Sequence, residues 1–252
     1  MLIAQLSDLH LCATGPLAVK NVYAERAVDA LLRLDPRPDV VLLTGDLTEY
    51  GTREEYGLLR TLIGRLPMPA YAIPGNHDER AALRAAVAEA GYLNPGSLHY
   101  AVETRPVRLI GLDSIIPGRV EGALDEDALG FLDESLSAHP DVPALVFLHH
   151  PPFRSGLPGK DSIRLLAGAD GLALVLARHP QVERVVAGHH HRALQARFGG
   201  TLCQVAPPVR YMTPEECGIP ATHEIDHEPA GFLLHHWIEG QGLATRVCPL
   251  LV

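Results

Sequence analysis

Five short apolar runs in this chain each end in a cluster of side chains suited to holding a metal ion. Leu2–Leu6 is followed by Ser7-Asp8-Leu9-His10, Val40–Leu43 by Thr44-Gly45-Asp46, and Ala70–Ile73 by Pro74-Gly75-Asn76-His77-Asp78. Ala144–Leu148 delivers His149-His150, and Val182–Ala187 delivers Gly188-His189-His190-His191. Buried strands read as unbroken apolar runs of this length, and in open α/β sheets ligands bind outside their carboxyl ends. One histidine after one strand is more often structural than a ligand. Five such clusters in succession demand another reason, because a core gains nothing from imidazoles and carboxylates placed there.

The stretches between these runs predict the rest of an α/β architecture. Asn21–Leu34 has helical spacing of Ala24, Ala27, Val28, Leu31 and Leu32 and is stopped by Asp35-Pro36. Thr52-Arg53-Glu54-Glu55 is a capping box opening a helix through Leu66. An Ala-rich helix is expected from Glu79 to about Ala90, capped by Asp78, with others over Asp125–Leu136 and Ser162–Ala177. A further strand is expected over Val107–Leu112. Repeated strand-then-helix units imply parallel strands with right-handed crossovers. After His191 the pieces 194–198, 201–205, 231–238 and 243–247 look antiparallel, and 206–229 reads as a loop or arm near the site, within one domain of 1–252.

Composition narrows the partners. A net charge of −9 and no basic run argue against nucleic acid, unless bound cations reverse the local field for an anionic substrate. Cys12, Cys203, Cys217 and Cys248 form no C-x-x-C pair, which argues against a zinc knuckle or dithiol motif. No apolar run approaches the roughly 18 residues of a membrane span, and a cytoplasmic protein is expected.

The donors Asp8, His10, Asp46, Asn76, His149, His189 and His191 mix oxygen and nitrogen without thiolate, which suits iron, manganese or zinc. Seven donors are too many for one ion with an open position, but divide between two if a carboxylate bridges. In order, Asp8-x-His10, Gly45-Asp46-x-x-x-x-Gly51, Gly75-Asn76-His77-Asp78, His149 and Gly188-His189-x-His191 resemble the calcineurin-like metallophosphoesterase superfamily. Leu148-His149-His150-Pro151-Pro152 is most similar to the bacterial class III cyclic-nucleotide phosphodiesterases and related glycerophosphodiesterases.

The resemblance implies a four-layer αββα sandwich of two mixed sheets flanked by helices. It implies two divalent or mixed-valence metals, iron or manganese foremost, with zinc or cobalt as alternatives. Asp8, His10, Asp46 and His191 would hold the first, and Asn76, His149 and His189 the second, with Asp46 bridging. A metal-bound hydroxide would then attack a small phosphodiester, with Asn76 and His77 touching substrate. His77, next to a ligand without being one, would contact a phosphate oxygen or protonate the leaving group, oriented by Asp78 or Asp113. The alternatives are a phosphomonoesterase or nuclease of the same superfamily and a metal-binding interaction scaffold. A homodimer or higher homo-oligomer is a further expectation. Glu49 stands where purple acid phosphatases have a tyrosine ligand, three residues after the bridging aspartate.

His150 and His190 alternate with ligands along extended chain and are expected to pack or support. His223-Glu224-Ile225-Asp226-His227 matches the H-E-x-x-H zinc-protease pattern, which works only on a helix, and Pro220 and Pro229 bracket it. Gly156–Lys160 is too short for a phosphate loop, and Asp161 replaces the metal-binding hydroxyl. Substrate choice is expected to come from 11–20, 153–161 and 206–229, including Arg210 and Tyr211.

Overall fold

Three strand-then-helix units open the chain in a computed structural model that describes residues 1–157, 159–210 and 229–250. Strand β1 (Leu2–Leu6) leads to α1 (Asn21–Arg33), β2 (Val40–Thr44) to α2 (Arg53–Ile63), and β3 (Ala70–Ile73) to α3 (Arg80–Ala86). Then come β4 (Tyr100–Val102), β5 (Arg108–Gly111), β6 (Gly122–Ala123), α4 (Glu126–Ser137), β7 (Ala144–Phe147), β8 (Leu165–Ala167), α5 (Ala169–Arg178) and β9 (Val182–Ala187). The remainder is β10 (Leu194–Phe198), β11 (Thr201–Val205), β12 (Gly231–Ile238) and β13 (Gly242–Pro249).

Two mixed sheets result, ordered β13-β12-β1-β2-β3 and β10-β11-β9-β7-β5-β4. Strands β1, β2 and β3 are parallel to one another, as are β5, β7, β9 and β11. Side chains alternate between the faces of each strand, and in the central strands β2, β5 and β7 both faces are buried. Ile3, Val40, Leu42 and Ile73 of one sheet meet Leu109, Leu145, Phe147 and Val186 of the other. Their neighbours Ala4, Val41 and Leu43 turn outward onto Val28 and Leu31 of α1, Leu59 of α2 and Leu83 of α3. Ile110, Val146 and Val185 turn onto Leu132 and Leu136 of α4 and Leu172 and Leu176 of α5. The expected αββα sandwich is therefore the observed fold. Period-two alternation with no polar face is what a sheet covered on both sides requires.

Three expectations about elements need correction. Glu79, not Asp78, caps α3 by accepting from Ala81 and Ala82, and the helix ends at Ala86. The helix expected over Ser162–Ala177 begins only at Ala169. Leu165–Ala167 is instead strand β8 beside β6, and Gly168 turns the chain with φ 78°, where a Cβ would strike the Leu124 carbonyl. Strand β11 runs parallel to β9, although β10–β11 and β12–β13 are antiparallel as expected. Most of the 206–229 segment, with Tyr211, Cys217 and the His223–His227 motif, lies outside the described residues. Among the described residues no helix is long and apolar enough to cross a membrane.

Candidate metal centre

The carboxyl ends of β1, β2 and β3 in one sheet and of β7 and β9 in the other meet at one edge of the sandwich. Main-chain bonds lock these ends together. Asp8 N–H donates to the Gly45 carbonyl at 3.1 Å and His10 N–H to the Asp46 carbonyl at 2.9 Å. Across the sheets, His189 N–H donates to Asp8 Oδ1 at 3.0 Å, and from β3 His77 N–H donates to Asp46 Oδ1 at 2.9 Å.

Donor atoms of Asp8, His10, Asp46 and His191 all lie within 4.8 Å of one another, and those of His149, His150 and His189 form a second such group. Asp46 reaches both groups, its Oδ2 being 3.7 Å from His10 Nε2 and 3.3 Å from His149 Nε2. Asn76 presents a buried Oδ1 that accepts no hydrogen bond, and His149 Nε2 is buried without a hydrogen bond although the Asp46 carboxylate lies 3.3 Å away. Buried polar atoms normally find a partner, so these orphans are directed at something that binds between them. His10 Nε2 and His191 Nε2 face each other at 3.3 Å, an arrangement that requires a shared proton or a cation.

The backbone gives an independent sign. Among the described residues, the non-glycine positions with positive φ are Asp8 (56°), His10 (46°), Asp46 (49°), His189 (69°) and His191 (50°). All five belong to the seven donors named from sequence. Each such conformation costs about 1–3 kcal/mol and persists where the surroundings over-determine it, typically at functional sites. Gly75 and Gly188 allow the close approach. A Cβ at Gly75 would fall inside 3.0 Å of the Asp46 amide and Oδ1, and one at Gly188 would lie 2.9 Å from Asp8 Oδ2.

Carbonyls fix the imidazoles. Because a carbonyl only accepts, His149 carries its proton on Nδ1, donated to the Thr44 carbonyl at 2.8 Å, and turns Nε2 inward. His189 donates Nε2–H to the Ile163 carbonyl at 2.9 Å. Behind Thr44 a polar chain crosses the core. Gln5 Nε2 donates to Thr44 Oγ1 at 3.0 Å and to the Ala187 carbonyl at 2.9 Å, which leaves Gln5 Oε1 to accept from His235 Nε2 at 3.1 Å. His235 Nδ1 then accepts from Thr245 Oγ1 at 2.8 Å, and Thr245 accepts from Arg184.

The electrostatics follow from the crowding of buried groups. Burial opposes ionisation of Asp46, but His149, His10 and His77 hold its carboxyl well below the usual range. Asp8 is lowered in the same way, chiefly by His191 against burial. Burial would depress His149, yet Asp46, Asp8 and the Thr44 carbonyl push it up to about 9. Burial and the neighbouring His149 take His150 down to about 3. Its ring is held by Ser114 Oγ at 2.8 Å and the Val120 carbonyl at 3.1 Å, so it packs behind the site as expected. His190 is also buried, with neither ring nitrogen hydrogen-bonded.

His77 sits beside these groups, with its ring 4.7 Å from that of His10. Its Nδ1–H goes to the main-chain carbonyl of Glu49 at 2.8 Å, not to the carboxylate of Asp78 or Asp113. Both carboxylates are otherwise engaged. Asp78 accepts from the amides of Leu47, Thr48 and Gly75 and the hydroxyls of Thr48 and Tyr56, tying the β2 and β3 ends together. Asp113 is bound by Arg80. The Glu49 carboxylate meets His10 Nδ1 at 3.2 Å and Arg210 at 2.9 Å. Only its place three residues after Asp46 drew notice to Glu49 in the sequence. The rejected phosphate loop turns its donors inward, since Ser155 and Gly156 bond to Asp161 rather than presenting amides to an anion.

Residues 1–193 match the family model for calcineurin-like phosphoesterase. The chain belongs to this family. Among relatives, a probable glycerophosphodiester phosphodiesterase GpdQ of Arcobacter nitrofigilis is 35% identical over 251 residues, covering 98% of this chain and 92% of the relative. A probable cyclic nucleotide phosphodiesterase of Synechococcus is 35% identical over 243 residues, covering 94% and 92%. A dimetal phosphatase from Danio rerio shares the fold with a TM-score of 0.72 at 16% identity over 99% of both chains. The chain is a metallophosphoesterase, a phosphoester hydrolase whose clustered histidines and aspartates can hold metal.

Proposed function

We propose that the chain hydrolyses small phosphodiesters, of the 3′,5′-cyclic nucleotide or glycerophosphodiester class, at a two-cation centre. Asp8, His10, Asp46 and His191 would hold one ion, and Asn76, His149 and His189 the other, with Asp46 placed to serve both. The observation that carries this reading is the Asp46 carboxylate between two donor groups beside an orphaned Asn76 amide oxygen. A carboxylate, amide and imidazole set without thiolate favours iron and manganese, with zinc or cobalt able to substitute. Bound there, such ions would supply Lewis acidity, a site for the phosphate oxygens and a hydroxide nucleophile near neutral pH.

The chain's own residues do the rest. Asp8 and Asp46 stay ionised in a buried site because imidazoles surround them. Thr44 and Ile163 carbonyls hold His149 and His189 in single tautomers, which removes rotational freedom from two donors. His77 commits Nδ1–H to Glu49, so Nε2 is the atom that meets substrate, and as the imidazolium it would give Nε2–H to the leaving oxygen or hold a phosphate oxygen with it. Asn76 lies one residue away and aligns the same phosphate through its amide.

A kinetic screen of the Mn²⁺-loaded protein tests the substrate class. Cyclic nucleotides or glycerophosphodiesters should give a higher kcat/KM than phosphomonoesters or linear DNA. Faster turnover of monoesters or DNA, or no turnover of any phosphoester, refutes the reading. The names of the relatives support the diester class, and the net charge of −9 argues against a polyanionic strand.

A further inference from the structure

Glu49 stands between the first donor group and the proposed acid, and it touches both by different atoms. Its side-chain Oε2 is 3.2 Å from His10 Nδ1, the nitrogen that faces away from Asp46 and His191, an ion-pair contact that falls outside hydrogen-bond geometry. Its main-chain oxygen accepts from His77 Nδ1 at 2.8 Å. The carboxylate also receives Arg210 Nη1 at 2.9 Å, from a fully buried guanidinium near the end of the described 159–210 stretch. The chain is pinned here from both sides. Glu49 N–H donates to the Leu11 carbonyl at 2.9 Å, and the next amide, of Tyr50, donates to Glu55 at 3.0 Å.

We propose that Glu49 is a positioning residue that couples the His10 ligand to His77, its carboxylate orienting one imidazole while its carbonyl orients the other, with Arg210 clamping the carboxylate. The inference rests on the two-cation reading above. A carboxylate on the outer nitrogen of a metal-binding histidine fixes the ring and makes the inner nitrogen a better donor. The coupling is mechanical as well. Release of the carboxylate would leave Glu49 held by its main chain alone, through its amide bond to Leu11, and would loosen the carbonyl that orients His77.

A competing reading makes His10, Glu49 and His77 a third cation site, since their donor atoms lie within 4.8 Å of one another. Their partners argue against it. Glu49 Oε2 is shared by His10 and Arg210, and His77 Nδ1 is already donated to the Glu49 carbonyl. A guanidinium 2.9 Å from the carboxylate also repels a cation at that spot.

The test is a Mn²⁺ titration of the full-length parent, Glu49→Ala, Glu49→Gln, Arg210→Met and the Glu49→Ala/Arg210→Met double variant. The parent should bind two ions. Glu49→Ala should weaken one of them by about 10–100-fold while sparing the other. Glu49→Gln, whose amide oxygen can still accept from His10 Nδ1–H, should recover most of that affinity. Arg210→Met should show a smaller loss that disappears in the Glu49→Ala background. At saturating Mn²⁺, Glu49→Ala should still lose more turnover on diesters with poor leaving groups than on those with good ones, because His77 has shifted. Parent-like affinity in Glu49→Ala, equal loss at both sites with a lowered Tm, or additive losses in the double variant would each overturn the proposal. If Glu49→Ala does not fold, Arg210→Met and Glu49→Gln decide, and parent-like affinity in both overturns it. A parent that binds no ion would instead refute the two-cation reading.

Discussion

Replacing Gly75 by alanine adds one methyl group and should disable the centre while leaving the fold intact. The new Cβ would stand 2.8 Å from His149 Cε1 and closer still to the amide and Oδ1 of Asp46. Restoring an ordinary 3.4 Å contact moves the His149 ring by about 0.6 Å and the Asp46 carboxylate further. Neither can yield cheaply. His149 is fully buried and anchored to Thr44, and Asp46 is anchored by the His77 amide. Misplacing a catalytic constellation by about 1 Å costs on the order of 100-fold in rate, close to 2.7 kcal/mol of transition-state stabilisation. The assay is kcat/KM on a chromogenic phosphodiester, with bound metal measured on the same preparation. Gly130→Ala is the matched control, since a Cβ there meets nothing within 4 Å in the middle of α4 and should leave activity unchanged. Gly75→Ala within threefold of the parent, with parent-like metal content, would refute the claim that this packing holds Asp46 and His149 in place.

Two other outcomes are expected. His77→Ala should keep its metal and lose about 10²–10⁴-fold on diesters with alkoxide leaving groups, but much less with nitrophenolate; equal losses across leaving groups would assign His77 to phosphate positioning instead. His235→Gln should make the protein less acid-sensitive. Burial and Arg184 take His235 from the ordinary 6.5 to about 3, so the unfolded chain gains a proton below 6.5 that the folded chain refuses until about 3. Stability therefore falls as pH falls through that window, by about 2 kcal/mol at pH 5 from this residue alone. Urea unfolding at pH 7 and pH 5 should show the parent losing about that much more than the variant, and equal slopes would contradict the assignment.

The strand ends were legible because each apolar run finishes in residues a core has no use for. The parallel strands followed from the same runs, whose both-faces-apolar character is the signature of covered parallel strands, whereas the αββα layering came only with the family resemblance. What escaped was carried by the main chain or by competition between neighbours. The partner of His77 is a carbonyl, which every residue possesses, so Asp78 and Asp113 were the visible candidates and Glu49 was not. Asp78 looks like a helix cap until its five donors are counted, after which Glu79 is left to cap α3. Leu165 and Leu166 fit a helical stripe with Leu172 and Leu176, and only the close approach of Gly168 to Leu124 reveals the turn. Positive φ at Asp8, His10, Asp46, His189 and His191 has no side-chain signature at all, yet it marks the site more sharply than any motif.

Seven side chains at one edge are proposed to hold two cations that share Asp46. Anomalous diffraction at the manganese edge from crystals grown with Mn²⁺ tests this directly. Two peaks are predicted, one among Asp8, His10 and His191 and one among Asn76, His149 and His189, with the Asp46 carboxylate between them. A single peak, or two that do not have Asp46 in common, would contradict the account.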